Sequence, residues 1–115
     1  MVSWEETRAL ALALPEVEES SSYGRPAFKV RKKLIACRRQ DDPRVLVLRV
    51  DMAEQELMVR ARPEAFFITP HYAGWPYVLV RLDEIEADEL GELLTDAWLI
   101  QAPKRLAAAF LAQAG

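Results

Sequence analysis

The 115-residue sequence predicts an α+β fold in which helices cover one face of an antiparallel sheet, and three observations lead there. Runs rich in branched and aromatic residues come as a group of three and then a pair, and the gaps within each group are too short for a crossover helix. Helical periodicity appears before the first group, between the groups, and twice after the second. With 51% hydrophobic and 29% charged residues, the composition is that of a globular chain rather than a disordered one. The expected order is α-β-β-β-α-β-β-α-α, in one domain spanning residues 1–115, and a domain of that size buries roughly two thirds of its unfolded surface.

The elements follow in order. Ser3-x-x-Glu6 is a capping-box candidate, and Trp4, Thr7, Leu10, Ala11 and Leu14 recur at helical spacing until Pro15. Residues 16–24, with three serines and Gly24, read as an irregular connection that leaves room for a short strand. Ala27 to Arg31, Lys33 to Arg39 and Arg44 to Val50 predict a three-stranded meander with turns at Arg31-Lys32-Lys33 and Gln40-Asp41-Asp42-Pro43. Asp51-x-x-Glu54 starts a second helix that ends before Pro63, with Ala53, Leu57, Met58 and Ala61 as its apolar face. Phe66 to Thr69 and Tyr77 to Leu82 predict a hairpin around the loop 70–76. Leu90, Leu93, Leu94, Ala97, Trp98 and Gln101 form a one-sided stripe from Asp88 onward. Pro103 suits a first helical position, and Leu106, Ala107, Phe110 and Leu111 supply the buried side of a last helix.

Charge is distributed unevenly. Between Arg25 and Arg49 stand nine basic residues and two acids, so this segment carries +7 in a chain of net charge −3, and the remainder carries −10. Such a local field points to an anionic partner. Strand alternation turns Phe28, Val30, Leu46, Leu48, Val78 and Val80 toward the core and sends Lys29, Arg31, Arg49 and Arg81 to the other face, with Lys32 and Lys33 at a hairpin tip. The run Leu34-Ile35-Ala36-Cys37 breaks that alternation, so its outer side is either covered, by subunit pairing or a partner, or exposed as an apolar patch. The competing reading of these cations is plain solubility, and that of the loop aromatics Tyr72, Trp75 and Tyr77 is packing over a core edge.

Catalytic readings find little support. One histidine, His71, and one cysteine, Cys37, provide neither a Cys-His pair on adjacent elements nor a zinc set. Four glycines build no phosphate cradle or dinucleotide fingerprint, and no serine lies in a nucleophile motif. The expectation is therefore a non-enzymatic protein with no catalytic residue, no metal and no cofactor. The longest apolar run is far below the roughly 20 residues that span a bilayer, so no membrane role is expected. A lone cysteine and an acidic N-terminus make the cytoplasm the expected compartment.

Tyr23-Gly24-Arg25-Pro26-Ala27-Phe28-Lys29-Val30, followed by Lys33-Leu34-Ile35-Ala36, resembles the signature stretch of the MmcQ/YjbR family of small bacterial proteins. Gly74-Trp75, Val78 to Leu82, Asp96-Ala97-Trp98 and Ala102 to Leu106 extend the resemblance over nearly the whole chain. It implies a frataxin-like (CyaY-like) sandwich, described also as a double wing, and a DNA-binding role. The wings would be the hairpins 27–39 and 66–82. The candidate nucleic-acid contacts are Arg25, Lys29, Arg31, Lys32, Lys33, Arg38, Arg39, Arg49, Arg81 and Trp75, with DNA or another polyanion as partner and the protein a monomer or weak homodimer. The alternatives are an interaction module that binds an acidic protein or small anion, and, through Glu5, Glu6, Glu16, Glu18 and Glu19, frataxin-like iron binding.

Overall fold

In the computed structural model, which describes residues 1–114, a capping box starts the chain's first helix, α1 (Trp4–Leu12). The Ser3 hydroxyl accepts from the Glu6 amide at 3.0 Å, and the Glu6 carboxylate accepts from the Ser3 amide at 3.1 Å. Four strands follow: β1 (Val17–Ser22), β2 (Arg25–Val30), β3 (Lys33–Arg38) and β4 (Val45–Arg49). Then come α2 (Met52–Ala61), β5 (Phe66–Phe67), β6 (Tyr77–Arg81), a 3-10 turn at Leu82–Glu84, α3 (Ala87–Gln101) and α4 (Lys104–Ala114). All six strands form one antiparallel sheet of order β1-β2-β3-β4-β6-β5. The expected α+β class holds, and both hairpins of the double-wing expectation are integral to this sheet with β4 between them.

The structure adds one strand to the expected order. Residues 17–22 pair with β2 along their whole length, from Val17 opposite Val30 to Ser22 opposite Arg25. A two-residue turn makes this possible: Tyr23 and Gly24 both adopt positive φ, 53° and 78°, as tight hairpins require. As an edge strand, β1 exposes its glutamates and serines and needs no apolar pattern.

A second tight turn joins β2 to β3, with Arg31 at φ 49° and Lys32 at φ 70°. Neither is a residue that favours this conformation, so the turn is held by the strands on either side. In β3, Ile35 is an extra residue: Phe28 faces Ala36 while Lys29 faces Leu34. This bulge explains the uninterrupted apolar run, because Ile35 and Ala36 both join the helix-side core while Leu34 and Cys37 lie on the other face.

The helix-side core contains Phe28, Val30, Leu46, Leu48, Val78 and Val80, as alternation predicts, together with Leu90, Leu94, Ala97 and Trp98 of α3. Leu106, Ala107 and Phe110 of α4 pack against it, while Leu111 points to solvent. The expected face of α2 is corrected. Leu57 is 59% exposed and Ala53 is exposed, whereas Gln55 is buried and Met58 and Val59 reach the core. Burial of Gln55 rotates the helix because its amide holds carbonyls of the 70–76 loop and β6.

Gly91 sits mid-helix where α3 crosses α1, and a β-carbon there would meet the Leu10 Cδ2 at 3.6 Å, an ordinary contact. Gly91→Ala is therefore expected to raise stability by about 0.5–1 kcal/mol through helix propensity. Urea denaturation at constant m-value measures it, and a loss of stability would mean that the helices cannot accept the methyl group.

Candidate nucleic-acid interface

The register lays out the face of the sheet opposite the helices row by row. Ser20, Ala27, Cys37, Val47, Leu79 and Phe67 are successive partners across all six strands, and apart from Ser20 they make one apolar row. Two residues away on one side lie Lys29 and Arg49; two residues away on the other lie Arg25 and Arg81, with Arg39 just beyond the end of β3. The two basic rows are thus about 13 Å apart, four residues of strand rise, with the apolar row between them.

The loop between β5 and β6 closes over part of this row. Tyr72 and Tyr77 pack on it, their rings edge to face at 6.2 Å, and His71 meets Tyr72 edge to face at 4.8 Å. The Gln55 amide donates to the carbonyls of Trp75 and Tyr77, each at 2.7 Å, and lies 3.4 Å from that of Tyr72. Trp75 stays 62% exposed. Between the loop and the sheet lies a depression of about 330 Å³ bordered by Arg25, Arg39, Thr69, His71 and Tyr72.

Four cations of this face, Arg25, Lys29, Arg49 and Arg81, donate to backbone carbonyls, not to carboxylates. Arg25 reaches the Ser22 carbonyl at 3.3 Å and Lys29 that of Ser21 at 3.3 Å. Arg49 donates to the Val50 carbonyl, and Arg81 to those of Pro63 and Glu64 at 3.1 and 3.3 Å. Arg81 also lies 4.1 Å above the Phe67 ring, and Arg39 lies 5.8 Å from it. Among the described residues, Arg25, Lys29, Arg49 and Arg81 form no ion pair; Arg39 pairs with Asp41 at 2.7 Å. Glu18 faces Lys29 in the register without reaching it.

Several cations elsewhere are compensated, though Lys32, Lys33, Arg38, Lys104 and Arg105 form no ion pair among the described residues. Arg8 pairs with Glu19 at 2.6 Å, Arg44 with Asp83 at 3.1 Å, Arg60 with Glu56 at 2.7 Å, and Arg62 with both Glu64 and Glu89. Arg31 is corrected on this point. It sits past the end of β2 in the turn, where left-handed backbone takes it out of the alternation, and it pairs with Glu16 at 2.6 Å. The hydrogen bond from Arg31 holds the Glu16 carboxyl below its ordinary range. Arg38 is on the helix side, 4.8 Å from the Trp4 ring, which stacks on Phe28. Lys32 and Lys33 are exposed at the hairpin tip, as expected, and unpaired among the described residues.

Ten sequence candidates thus divide into a coherent face (Arg25, Lys29, Arg39, Arg49, Arg81 and the nearby Trp75), a hairpin tip (Lys32, Lys33), and two residues engaged elsewhere (Arg31, Arg38). Sequence reasoning missed Gln55, whose role depends on carbonyls 17 to 22 residues away and leaves no local signal. Burial pushes the Cys37 thiol up, against the opposing pull of Arg25 and Lys29, so it is held as a neutral thiol beneath the basic rows. Of the five acids considered for iron, Glu6 completes a helix cap, and Glu16 and Glu19 pair with arginines. No helix among the described residues is long and apolar enough to cross a membrane.

Comparison with known proteins agrees with the resemblance read from the sequence. A family model described as YjbR matches residues 12–100. Uncharacterized proteins of Mycobacterium bovis and Mycobacterium tuberculosis are 33% identical, over the full length of both chains. The crystal structure of a Deinococcus radiodurans protein, a DUF419 domain, superimposes with a TM-score of 0.74 at 27% identity, covering 87% of this chain and 78% of the other. With the family model spanning most of its length and a relative at this identity matching end to end, the chain belongs to the YjbR family.

Proposed function

We propose that this is a non-enzymatic nucleic-acid-binding protein that takes single-stranded DNA or RNA across the outer face of its sheet. The carrying observation is a cluster of uncompensated charge: Arg25, Lys29, Arg49 and Arg81 share one face of the sheet without ion-pair partners, whereas Arg8, Arg31, Arg44, Arg60 and Arg62 are each met by a carboxylate and the other unpaired cations, Lys32, Lys33, Arg38, Lys104 and Arg105, belong to the hairpin tip, the helix side and α4. Phosphates supply the missing counter-charge. The exposed Trp75 ring, on the loop two residues before Tyr77, the register partner of Arg49, offers a base a stacking surface, which favours unpaired strands. The −10 carried outside residues 25–49 repels a duplex that would wrap the body.

Fluorescence anisotropy with labelled oligonucleotides tests this. Binding through four phosphate contacts predicts that log affinity falls against log salt with a slope of about −3, at about −0.7 per contact on a single strand. Replacing Arg25, Lys29, Arg49 and Arg81 together by alanine should remove most of that slope, whereas Arg8→Ala and Arg60→Ala should leave it unchanged. No binding of single-stranded DNA or RNA at low salt sinks the reading. Equal affinity for polyglutamate would assign the face to an acidic protein instead.

A further inference from the structure

On the other side of the sheet the helical layer is incomplete. α1 and α3 pack on each other, while α2 leans on β5 and β6. Between α2 and α3 this leaves a cleft of about 500 Å³, the size of a specific binding site. Its floor is Val50 and Phe66 of the sheet region, both buried, and its walls are apolar: Met58 from α2, and Leu93, Leu99 and Ile100 from α3. Past Arg49 it continues into a second hollow bordered by Met52, Pro76 and Ile100. Met52 and Ile100, 43% and 40% exposed, extend the apolar strip along this trough.

The rim has a definite sign. Arg62 and Glu89 neutralise each other across it. Of the other charges, Asp51, Glu54 and Asp96 are acidic and Arg49 alone is basic, so the rim is net negative. No cation lies within ion-pairing distance of Asp51, Glu54 or Asp96 among the described residues. An elongated trough with an apolar floor, helical walls and an acidic rim is complementary to an amphipathic helix that carries lysine or arginine beside its apolar stripe. The chain's own basic helix does not meet the need in a second copy, because the apolar side of α4 is already spent on its own core.

We propose that the α2–α3 cleft is a docking site for a basic amphipathic helix of a partner protein. It lies on the helix side of the sheet, and Arg49 is the one residue that also belongs to the candidate nucleic-acid surface. Helix insertion makes Met58, Leu93, Leu99 and Ile100 the anchoring contacts, and Glu54 and Asp96 set the polarity of the partner's flanking charges.

The probe is a designed leucine–lysine peptide of about 15 residues, near the shortest length that holds a helix in water, titrated into the full chain and followed by calorimetry and isotope-resolved NMR. Saturable binding is expected, with shifts concentrated at Val50, Met58, Leu93, Leu99 and Ile100. Glu54→Lys combined with Asp96→Lys should weaken it at least about tenfold, as should Ile100→Glu, a change at a half-exposed position whose folding a thermal melt verifies. A neutral change in the cleft, Leu93→Ala, should weaken peptide binding without altering affinity for single-stranded DNA, which separates this proposal from the reading of the basic face. The proposal is overturned if a scrambled peptide of the same composition or a leucine–glutamate helix binds equally well, or if the shifts fall on the outer face. Sedimentation that shows a dimer dissociated by Ile100→Glu would also overturn it, by giving the cleft to a second copy.

Discussion

Trp98→Ala is expected to cost about 3–5 kcal/mol, the usual range for deleting a buried aromatic ring. A domain of ordinary stability has only about 5–15 kcal/mol to lose, so the variant should sit close to its unfolding threshold. Trp98 is fully buried in the C-terminal part of α3 and joins three elements at once. Its ring lies 4.9 Å from that of Phe110, which fastens α4. Its indole Nε1 donates to the Pro15 carbonyl at 2.9 Å, which ties α3 to the turn between α1 and β1. Trp98→Phe separates these roles: it keeps most of the packing but orphans the Pro15 carbonyl, for an expected loss of about 1–3 kcal/mol. Urea titration measures both, and an alanine variant within 1 kcal/mol of the parent would contradict the packing read here.

The same tryptophan shows what the sequence made legible. The stripe from Leu90 to Gln101, the Ser3-x-x-Glu6 cap and the Asp51 cap depend on residues within a few positions of one another, so periodicity and spacing suffice to find them. The strand β1 was not legible in that way. Glu18-Glu19-Ser20-Ser21-Ser22 has no strand propensity of its own and is ordered by its ladder to β2 and the two-residue turn. Alternation placed Lys29, Arg49 and Arg81 correctly because β2, β4 and β6 are regular through those residues. It could not place Arg38, since the bulge at Ile35 resets the parity of β3, nor Arg31, which leaves the strand. The missing half of the site is charge compensation. A sequence reveals nine cations in one segment, but which of them meet carboxylates depends on pairs as far apart as Arg44 and Asp83.

Gln55 is the position where a conservative change should carry the most information. Its amide has two N–H groups, and the two shortest of its three contacts, to the Trp75 and Tyr77 carbonyls, use both of them. Gln55→Ala leaves those carbonyls short of a donor in a buried site, with an expected cost of about 2–4 kcal/mol, and frees the loop that carries His71, Tyr72 and Trp75. Gln55→Glu is nearly identical in shape and should be worse at neutral pH, because it aims a carboxylate at carbonyl oxygens. Burial and those oxygens both disfavour the charged form, so the pKa of the introduced acid is raised in the folded state above its unfolded value of about 4.3. The destabilisation is therefore complete above the folded-state pKa. It is progressively relieved as pH falls toward the unfolded value, since a protonated carboxyl donates one hydrogen bond again. Denaturation midpoints of the Glu variant and its parent should converge between pH 7 and pH 4. A constant gap across that range would show that residue 55 is hydrated when glutamate occupies it, and that the loop does not depend on the Gln55 amide. Because the loop carries the exposed Trp75 proposed to stack on bases, the alanine variant should also lose affinity for single strands without changing the salt slope, which belongs to the arginines and Lys29.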